Sequence, residues 1–272
     1  MRFALLNSGL GLLAAASELH KLRPDADLVI AMDPDGMPWG PRTPQDIAER
    51  SLAIARAAAS YEPDVIVMAC NTGSVHALDA LRAEFEPDIP IVGTVPAIKP
   101  AAAVAGSVAI WATVATTASA YQRRLIQDFG AQATVTPVAC PGLASAIDSG
   151  DDEAISAAIA DAAGRTPQEC GAIVMGCTEY ELAADQISVA IPGAALFGSA
   201  AAVAAQALRR AVPPGGAVSP VPDGVTGTLS VLLSGRPSSL PPKALQYRQG
   251  RELARLAPGY ELDNDPSADL VG

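Results

Sequence analysis

Two cysteines of this chain stand in matching surroundings. Val65-Ile66-Val67-Met68-Ala69-Cys70-Asn71-Thr72 is paralleled by Ala172-Ile173-Val174-Met175-Gly176-Cys177-Thr178-Glu179. In each, an apolar run ends on a thiol and polar residues follow, the pattern of a strand running out into a helix N-terminus. Such a terminus offers unpaired N–H groups and partial positive charge, which hold a carboxylate and lower a nearby thiol's pKa. Asn71, Thr72 and Ser74 add neutral donors. Two thiols suit proton abstraction at the α-carbon of an amino acid. That proton is weakly acidic, and inversion needs a base on one face and an acid on the other. Thiols flanking a flat carbanion do both jobs, one starting as thiolate and the other as thiol. Pyridoxal phosphate, the alternative electron sink, is anchored through a lysine Schiff base. Lys21, Lys99 and Lys243 are the only lysines and none lies in a cofactor-like motif, so no cofactor is expected.

The elements that must carry these thiols follow from alternation along the chain. Short apolar runs at 2–6, 27–32, 64–69, 89–92, 108–112, 133–139, 172–176 and 230–233 read as strands. Amphipathic stretches at 44–61 and 74–84 read as helices between them, which gives a parallel α/β fold. In such sheets ligands bind outside the carboxyl ends of the strands. The interval from Asn7 to Cys70 is 63 residues and that from Thr113 to Cys177 is 64. Equal intervals between similar strand ends predict two pseudo-symmetric α/β domains, each delivering one cysteine to a shared cleft. The Pro/Gly-rich stretch from 213 to 224 reads as a linker, order returns over 225–260, and the acidic end beyond Leu262 is expected to fray.

Composition excludes other classes. Half the residues are hydrophobic and 17% are charged, so the chain is expected to be globular. A net charge of −11 without clustered Lys and Arg argues against nucleic acid as a partner, though a pocket for an anion can still be built locally from backbone N–H groups. Cys70, Cys140, Cys170 and Cys177 form no CxxC pair, and His20 and His76 are the only histidines, so no metal site or disulfide framework is expected. Free thiols point to a cytoplasmic location. The start of the chain loosely imitates a signal peptide, but Asn7, Ser8 and Gly9 interrupt the apolar run, and no segment has the length of a membrane span. Cys140 and Cys170 are read as small buried hydrophobes, His76 as a surface or packing residue and His20 as solvated.

The chain resembles the aspartate/glutamate racemase family, glutamate racemases most closely. The likeness runs from residue 1 to about 207 and more loosely through SVLLSGRPSSL. It is carried by ACNTGS around Cys70, GCTEYEL around Cys177, ATVAT at 112–116, AYQ at 120–122, ACPGLASAID ending at Asp148, and MDPDGMPWG at 32–40 with Asp33 at the family's aspartate. The resemblance implies a racemase of glutamate- or aspartate-like substrates, in two domains: 1–97 with 208–262, and 98–207, leaving a tail at 263–272. It implies Cys70 acting on the D-isomer and Cys177 on the L-isomer. Ser8, Asn71, Thr72, Thr113, Thr116 and Thr178 would bind substrate, with Pro38, Trp39 and Gly40 near its side chain and Asp33 and Asp148 as supporting carboxylates. A D-amino acid for cell-wall peptidoglycan precursors and a homodimeric assembly also follow from it.

Three departures from that pattern bear on the chemistry. Asn7 stands where glutamate racemases carry an aspartate, Glu179 where they carry a histidine, and Trp39 where they carry a tyrosine. The Cys-Thr-Glu form resembles the aspartate racemase branch. Glu179 is expected to raise the Cys177 pKa and serve as its proton acceptor. Asn7 cannot take a proton, so abstraction through Cys177 is expected to be the faster half-reaction, and Asn7→Asp to restore the other half. Competing readings are a thiol-dependent decarboxylase or isomerase of diacids, a catalytically inactive small-ligand binder, and an NAD-dependent oxidoreductase. The last is suggested by Gly9-Leu10-Gly11-Leu12-Leu13-Ala14, a G-x-G-x-x-A match followed by Asp33. The two-thiol reading makes a sharp forecast for the cysteines. Cys70→Ser and Cys177→Ser each abolish racemisation, because a hydroxyl is a far poorer base, whereas Cys140→Ser and Cys170→Ser cost stability only. Polarimetry and thermal melts on the four variants check this.

Overall fold

Ten strands build two sheets in the computed structural model, which describes residues 1–259 except 213, 214, 218 and 223. Strands β1 (Arg2–Asn7), β2 (Asp27–Met32), β3 (Val65–Met68) and β4 (Ile91–Gly93) belong to the first sheet. Strands β5 (Ser107–Ala112), β6 (Thr134–Ala139), β7 (Ala172–Met175) and β8 (Ala195–Phe197) form the second, and β9 (Leu229–Leu233) and β10 (Arg236–Ser238) return to the first. The orders are β10-β9-β2-β1-β3-β4 and β6-β5-β7-β8, parallel throughout except for the β10–β9 hairpin. The sub-order β2-β1-β3-β4 is reproduced by β6-β5-β7-β8, so the two halves share a topology as well as a motif. β1 and β5 occupy equivalent central positions, and β3 and β7 lie beside them carrying the two cysteine motifs.

The sequence explains which strands are central. β3 (VIVM) and β7 (AIVM) are buried at every position, as strands covered on both faces by helices must be. The eight strands expected from the sequence are present with ends shifted by a residue or two. β8 and β10 are additions. Each is three residues long, β8 is half-exposed and β10 reads Arg-Pro-Ser, so neither shows an apolar alternation, and a proline is tolerated because β10 is an edge. The helix expected over 74–84 starts earlier and is divided, at buried Ala77, into Asn71–His76 and Leu78–Phe85. Residues 213, 214, 218 and 223 of the expected linker, the last residues 260–262 of the first expected domain, and the expected tail 263–272 lie outside the described residues.

One apolar core runs through both halves. Leu10, Leu13 and Leu19 from the first half pack in the same cluster as Ile147, Ile173 and Tyr180 from the second, with Val203, Ala207 and Leu253 from the C-terminal part of the chain. The helix Leu12–Leu22 lies against both Ala200–Arg210 and Arg248–Ala254, and it also meets the segment Thr178–Ala183 of the second half. Among the described residues no helix is long and apolar enough to cross a membrane.

The returning strand β9 is seated beside β2 through a close backbone approach. Gly227 N–H donates to Pro24 O at 2.8 Å, and a Cβ on Gly227 would lie 1.9 Å from the carbonyl oxygen of Ala26. Because the obstacle is backbone, it has no rotamer by which to yield. Gly227→Ala is therefore expected to lower the unfolding free energy by about 1–3 kcal/mol, the usual cost of overpacking. Urea titration checks this, the midpoint falling at unchanged slope.

Candidate active site

Cys70 and Cys177 line one cavity of about 410 Å³ at the carboxyl ends of the strands. Cys70 follows β3 and caps the helix Asn71–His76, its sulfur accepting from Gly73 N–H at 3.5 Å. Cys177 follows β7 and precedes a 3-10 turn, Thr178–Ala183. Its thiol donates to Glu179 Oε2 at 2.8 Å. The rest of the lining includes Ser8, Pro38, Trp39, Gly40, Thr72, Thr113, Asp148 and Glu179, all expected from the sequence. An adjoining cavity of about 280 Å³, sharing Gly40, Thr72 and Ala115 with the first, receives Asn71 and Thr116.

Asn71 Nδ2 donates to Gly176 O at 2.6 Å, and its Oδ1 is buried with no partner, a free acceptor at the seam of the two halves. Thr113 and Thr116 bond each other at 3.0 Å while Thr113 caps its helix, so one residue serves both capping and the cavity wall. Three expected site residues stand behind the lining. Thr178 is buried, with its hydroxyl between Asn7 and Glu179. Asp33 accepts from Trp39 Nε1 at 3.0 Å, Arg50 at 3.2 Å and Ser234 Oγ at 3.1 Å, so it fixes the loop that presents Trp39. Asn7 is fully buried, its Nδ2 donating to Ala69 O at 2.8 Å and Thr178 Oγ1 at 3.2 Å and its Oδ1 accepting from Ser8 N–H at 2.6 Å. Asn7, expected among the catalytic residues with Cys70, Cys177 and Glu179, thus has each end of its amide engaged within the protein.

The expectation that helix N-termini lower the thiol pKa values is overturned. Burial, and after it the negative charge of Glu179, pushes Cys70 up to about 12, against weaker opposing pulls from the N–H groups of Gly73, Thr72 and Ser8. Burial, the charge of Glu179 and its hydrogen bond raise Cys177 well above its ordinary value. The physical reason is desolvation: both sulfurs are enclosed by the fold, and the nearby Glu179 carboxylate adds to the penalty on a thiolate. Asp148, which accepts from Leu10 N–H at 2.7 Å, is raised to about 7 by burial and then by Glu179.

The dinucleotide pattern has another use. A Cβ on Gly9 would lie 2.3 Å from Asp148 Oδ1, and one on Gly11 would lie 2.4 Å from Thr178 Oγ1 and 2.7 Å from Glu179 Oε1. Both glycines are bare because the second half's polar groups press on them, and Asp33 has its oxygens taken. Cys140, read as an inert hydrophobe, is buried but contributes to the cavity wall with Pro141, Gly142, Ala144 and Ser145. The ACPGLASAID motif was the signal for this wall. Cys170 is buried away from it, donating to Ala172 O at 3.0 Å. His76 is exposed at the end of its helix and edges the adjoining cavity. His20 is half-buried with an unpartnered buried Nδ1 rather than solvated, and burial lowers its pKa. Among the described residues no group of three His, Cys, Asp or Glu is placed to hold a metal.

Comparison with known proteins gives a consistent result. A model of the Asp/Glu/Hydantoin racemase family matches residues 7–207. Glutamate racemase of Herpetosiphon aurantiacus is 37% identical over 211 residues, 75% of this chain and 82% of that protein. That of Pseudomonas entomophila is 33% identical over 211 residues, covering 75% and 79%. The crystal structure of Escherichia coli glutamate racemase in complex with L-glutamate and the activator UDP-MurNAc-ala superposes with a TM-score of 0.76 at 27% identity, over 90% of this chain and 91% of that one.

The raised Asp148 makes a pH prediction. Its folded pKa, about 7, lies above the unfolded value near 3.9, so the folded state holds the extra proton between those limits and loses stability as pH rises through them. Asp148→Asn keeps an acceptor for Leu10 N–H and removes this loss. Its stability relative to the parent is expected to grow by up to about 4 kcal/mol from pH 4 to pH 8, read from urea midpoints at each pH.

Proposed function

The chain belongs to the Asp/Glu/hydantoin racemase family, and we propose that it interconverts the enantiomers of an acidic amino acid, glutamate or aspartate in kind, by a two-thiol route. The observation that carries this is the presence of Cys70 and Cys177, from equivalent strand ends of two like halves, in one cavity of a size for a small substrate. Readings that need a single thiol leave the second motif without a task.

In this mechanism a thiolate on one side takes the α-proton while the thiol opposite gives its own to the other face, and the two exchange protonation states in each turnover. Glu179 takes the Cys177 proton when that side starts as base, as the 2.8 Å contact supports. Both thiols sit above their usual pKa in the free protein, and a substrate ammonium brings the positive charge that favours a thiolate. Asn71 Oδ1, buried and unpartnered, is the acceptor we assign to that ammonium. The hydroxyls of Ser8, Thr72 and Thr113 receive the carboxylates. Asp148, holding its proton near neutrality, can donate to an acidic side chain instead of repelling it. Trp39, locked by Asp33, closes the side-chain end with its bulk. No external cofactor is assigned a step. The domain division at 97/98 and 207/208, a homodimer and a cytosolic setting belong to the same proposal.

Single-turnover α-proton exchange in D₂O, followed by NMR with L- and D-glutamate and L- and D-aspartate, tests the assignment. Cys70→Ser and Cys177→Ser are each expected to stop racemisation by at least about 10³-fold while leaving the fold intact. Full turnover in either variant would remove the two-thiol route.

A further inference from the structure

The departures Asn7 and Glu179 are linked through Thr178. The end of the Asn7 side chain is fixed by its neighbours: Oδ1 accepts from Ser8 N–H at 2.6 Å, so Nδ2 must face Ala69 O at 2.8 Å and Thr178 Oγ1 at 3.2 Å. With that N–H donating to it, the Thr178 hydroxyl has its own proton to place, and Glu179 Oε2 lies 3.4 Å away. The same oxygen accepts the Cys177 thiol at 2.8 Å. Gly11 presses on the whole group, since a Cβ there would lie 2.4 Å from Thr178 Oγ1 and 2.7 Å from both Asn7 Nδ2 and Glu179 Oε1. The chain of contacts therefore runs from a backbone carbonyl after β3, through the end of β1, across to the second half, and onto a reacting sulfur.

We propose that Asn7 is a positioning residue, whose amide fixes the Thr178 hydroxyl as a donor to Glu179 and thereby holds the Glu179 carboxylate against the Cys177 thiol. An aspartate at this position would reverse the polarity of the chain. It would set an acceptor against Ala69 O, draw the Thr178 hydroxyl away from Glu179, and add a buried negative charge. The groups already facing Glu179 are Cys70 after β3, Cys177 and Tyr180 on its own segment, and Asp148 from the helix Leu143–Ser149, and its charge opposes ionisation of all four. Lys243 is the cation that acts on Asp148. Neutral Asn7 is thus the partner that a glutamate at 179 requires, which replaces the view of Asn7 as a missing base for Cys70.

This rests on the two-thiol reading for the use made of Glu179, but its readout does not need turnover. The rate of Cys177 alkylation by iodoacetamide is measured against pH in the full-length protein, by mass spectrometry of the Cys177 peptide. The series is the parent, Asn7→Ala, Thr178→Val, the double variant, Thr178→Ser and Asn7→Asp. Asn7→Ala and Thr178→Val are each expected to change the rate at pH 8 by about threefold or more in the same sense. The double variant should go no further than the stronger single, and Thr178→Ser, which keeps the hydroxyl, should behave as the parent. Asn7→Asp should move the midpoint of the profile upward, since added negative charge disfavours the thiolate. In α-proton exchange, Asn7→Ala should slow the Cys177 face about tenfold and leave the Cys70 face within about twofold. An Asn7→Ala profile identical to the parent's, or Asn7→Asp accelerating the Cys70 face with Cys177 unaltered, would overturn the proposal. A parent that exchanges no acidic amino acid defeats the racemase reading instead, and the alkylation series still decides the role of Asn7.

Discussion

Hydrogen bonds that cross between the two halves at the strand ends set where the thiols stand. Asn7 reaches Thr178, Asn71 reaches the carbonyl of Gly176, and Asp148 reaches the N–H of Leu10, all in buried surroundings. Each is worth about 1 kcal/mol net, but leaving one such group buried without its partner costs more, so the set is hard to break singly. Behind it lies an apolar core shared by both halves. Two thiols can serve one carbon only if two separate sheets hold them in register, and these contacts provide that register.

The electrostatics of the cavity follow from its lining. Asp148 and Glu179 are its charged residues, and no Lys, Arg or His is among the described residues that line it. Burial and Glu179 together hold both thiols protonated in the free protein, with Cys70 near 12. The resting site is therefore a poor base, and on the proposed route the charge needed to form a thiolate arrives with the substrate's ammonium. Proton acceptance is also uneven. Cys177 has a carboxylate in contact, whereas the N–H groups around Cys70 stabilise its thiolate without taking its proton.

Much of the architecture was legible because parallel strands announce themselves. VIVM and AIVM are continuous apolar runs, and their repetition before a cysteine pointed to the duplication and to a cavity shared by the two cysteines. The short edges β8 and β10 were not legible, since three residues with a proline or half-exposed side chains carry no period. Around the cavity, which residues gather was more legible than which way each one faces. Asn7 faces inward to Thr178, and Asp33 holds Trp39 from behind rather than facing the cavity, because partners distant in sequence decide orientation. The thiol pKa values went the other way from the local motif because desolvation depends on the whole surrounding fold. Gly9 and Gly11 matched a nucleotide pattern for a reason visible only in three dimensions, the approach of Asp148, Thr178 and Glu179 from the other half.

The central claim is that two different groups stand on opposite faces of the α-carbon. Following the destination of solvent deuterium tests it most directly. The protein is incubated with one enantiomer of the acidic substrate in D₂O, and early time points are separated by chirality and analysed by mass spectrometry. With two thiols, the solvent-exchanged acid delivers deuterium to the opposite face, so the newly formed antipode carries α-deuterium while the remaining starting enantiomer keeps its proton. An antipode that retains the original proton, or a starting enantiomer that becomes deuterated as fast as product forms, would mean that one group serves both faces and would contradict the account.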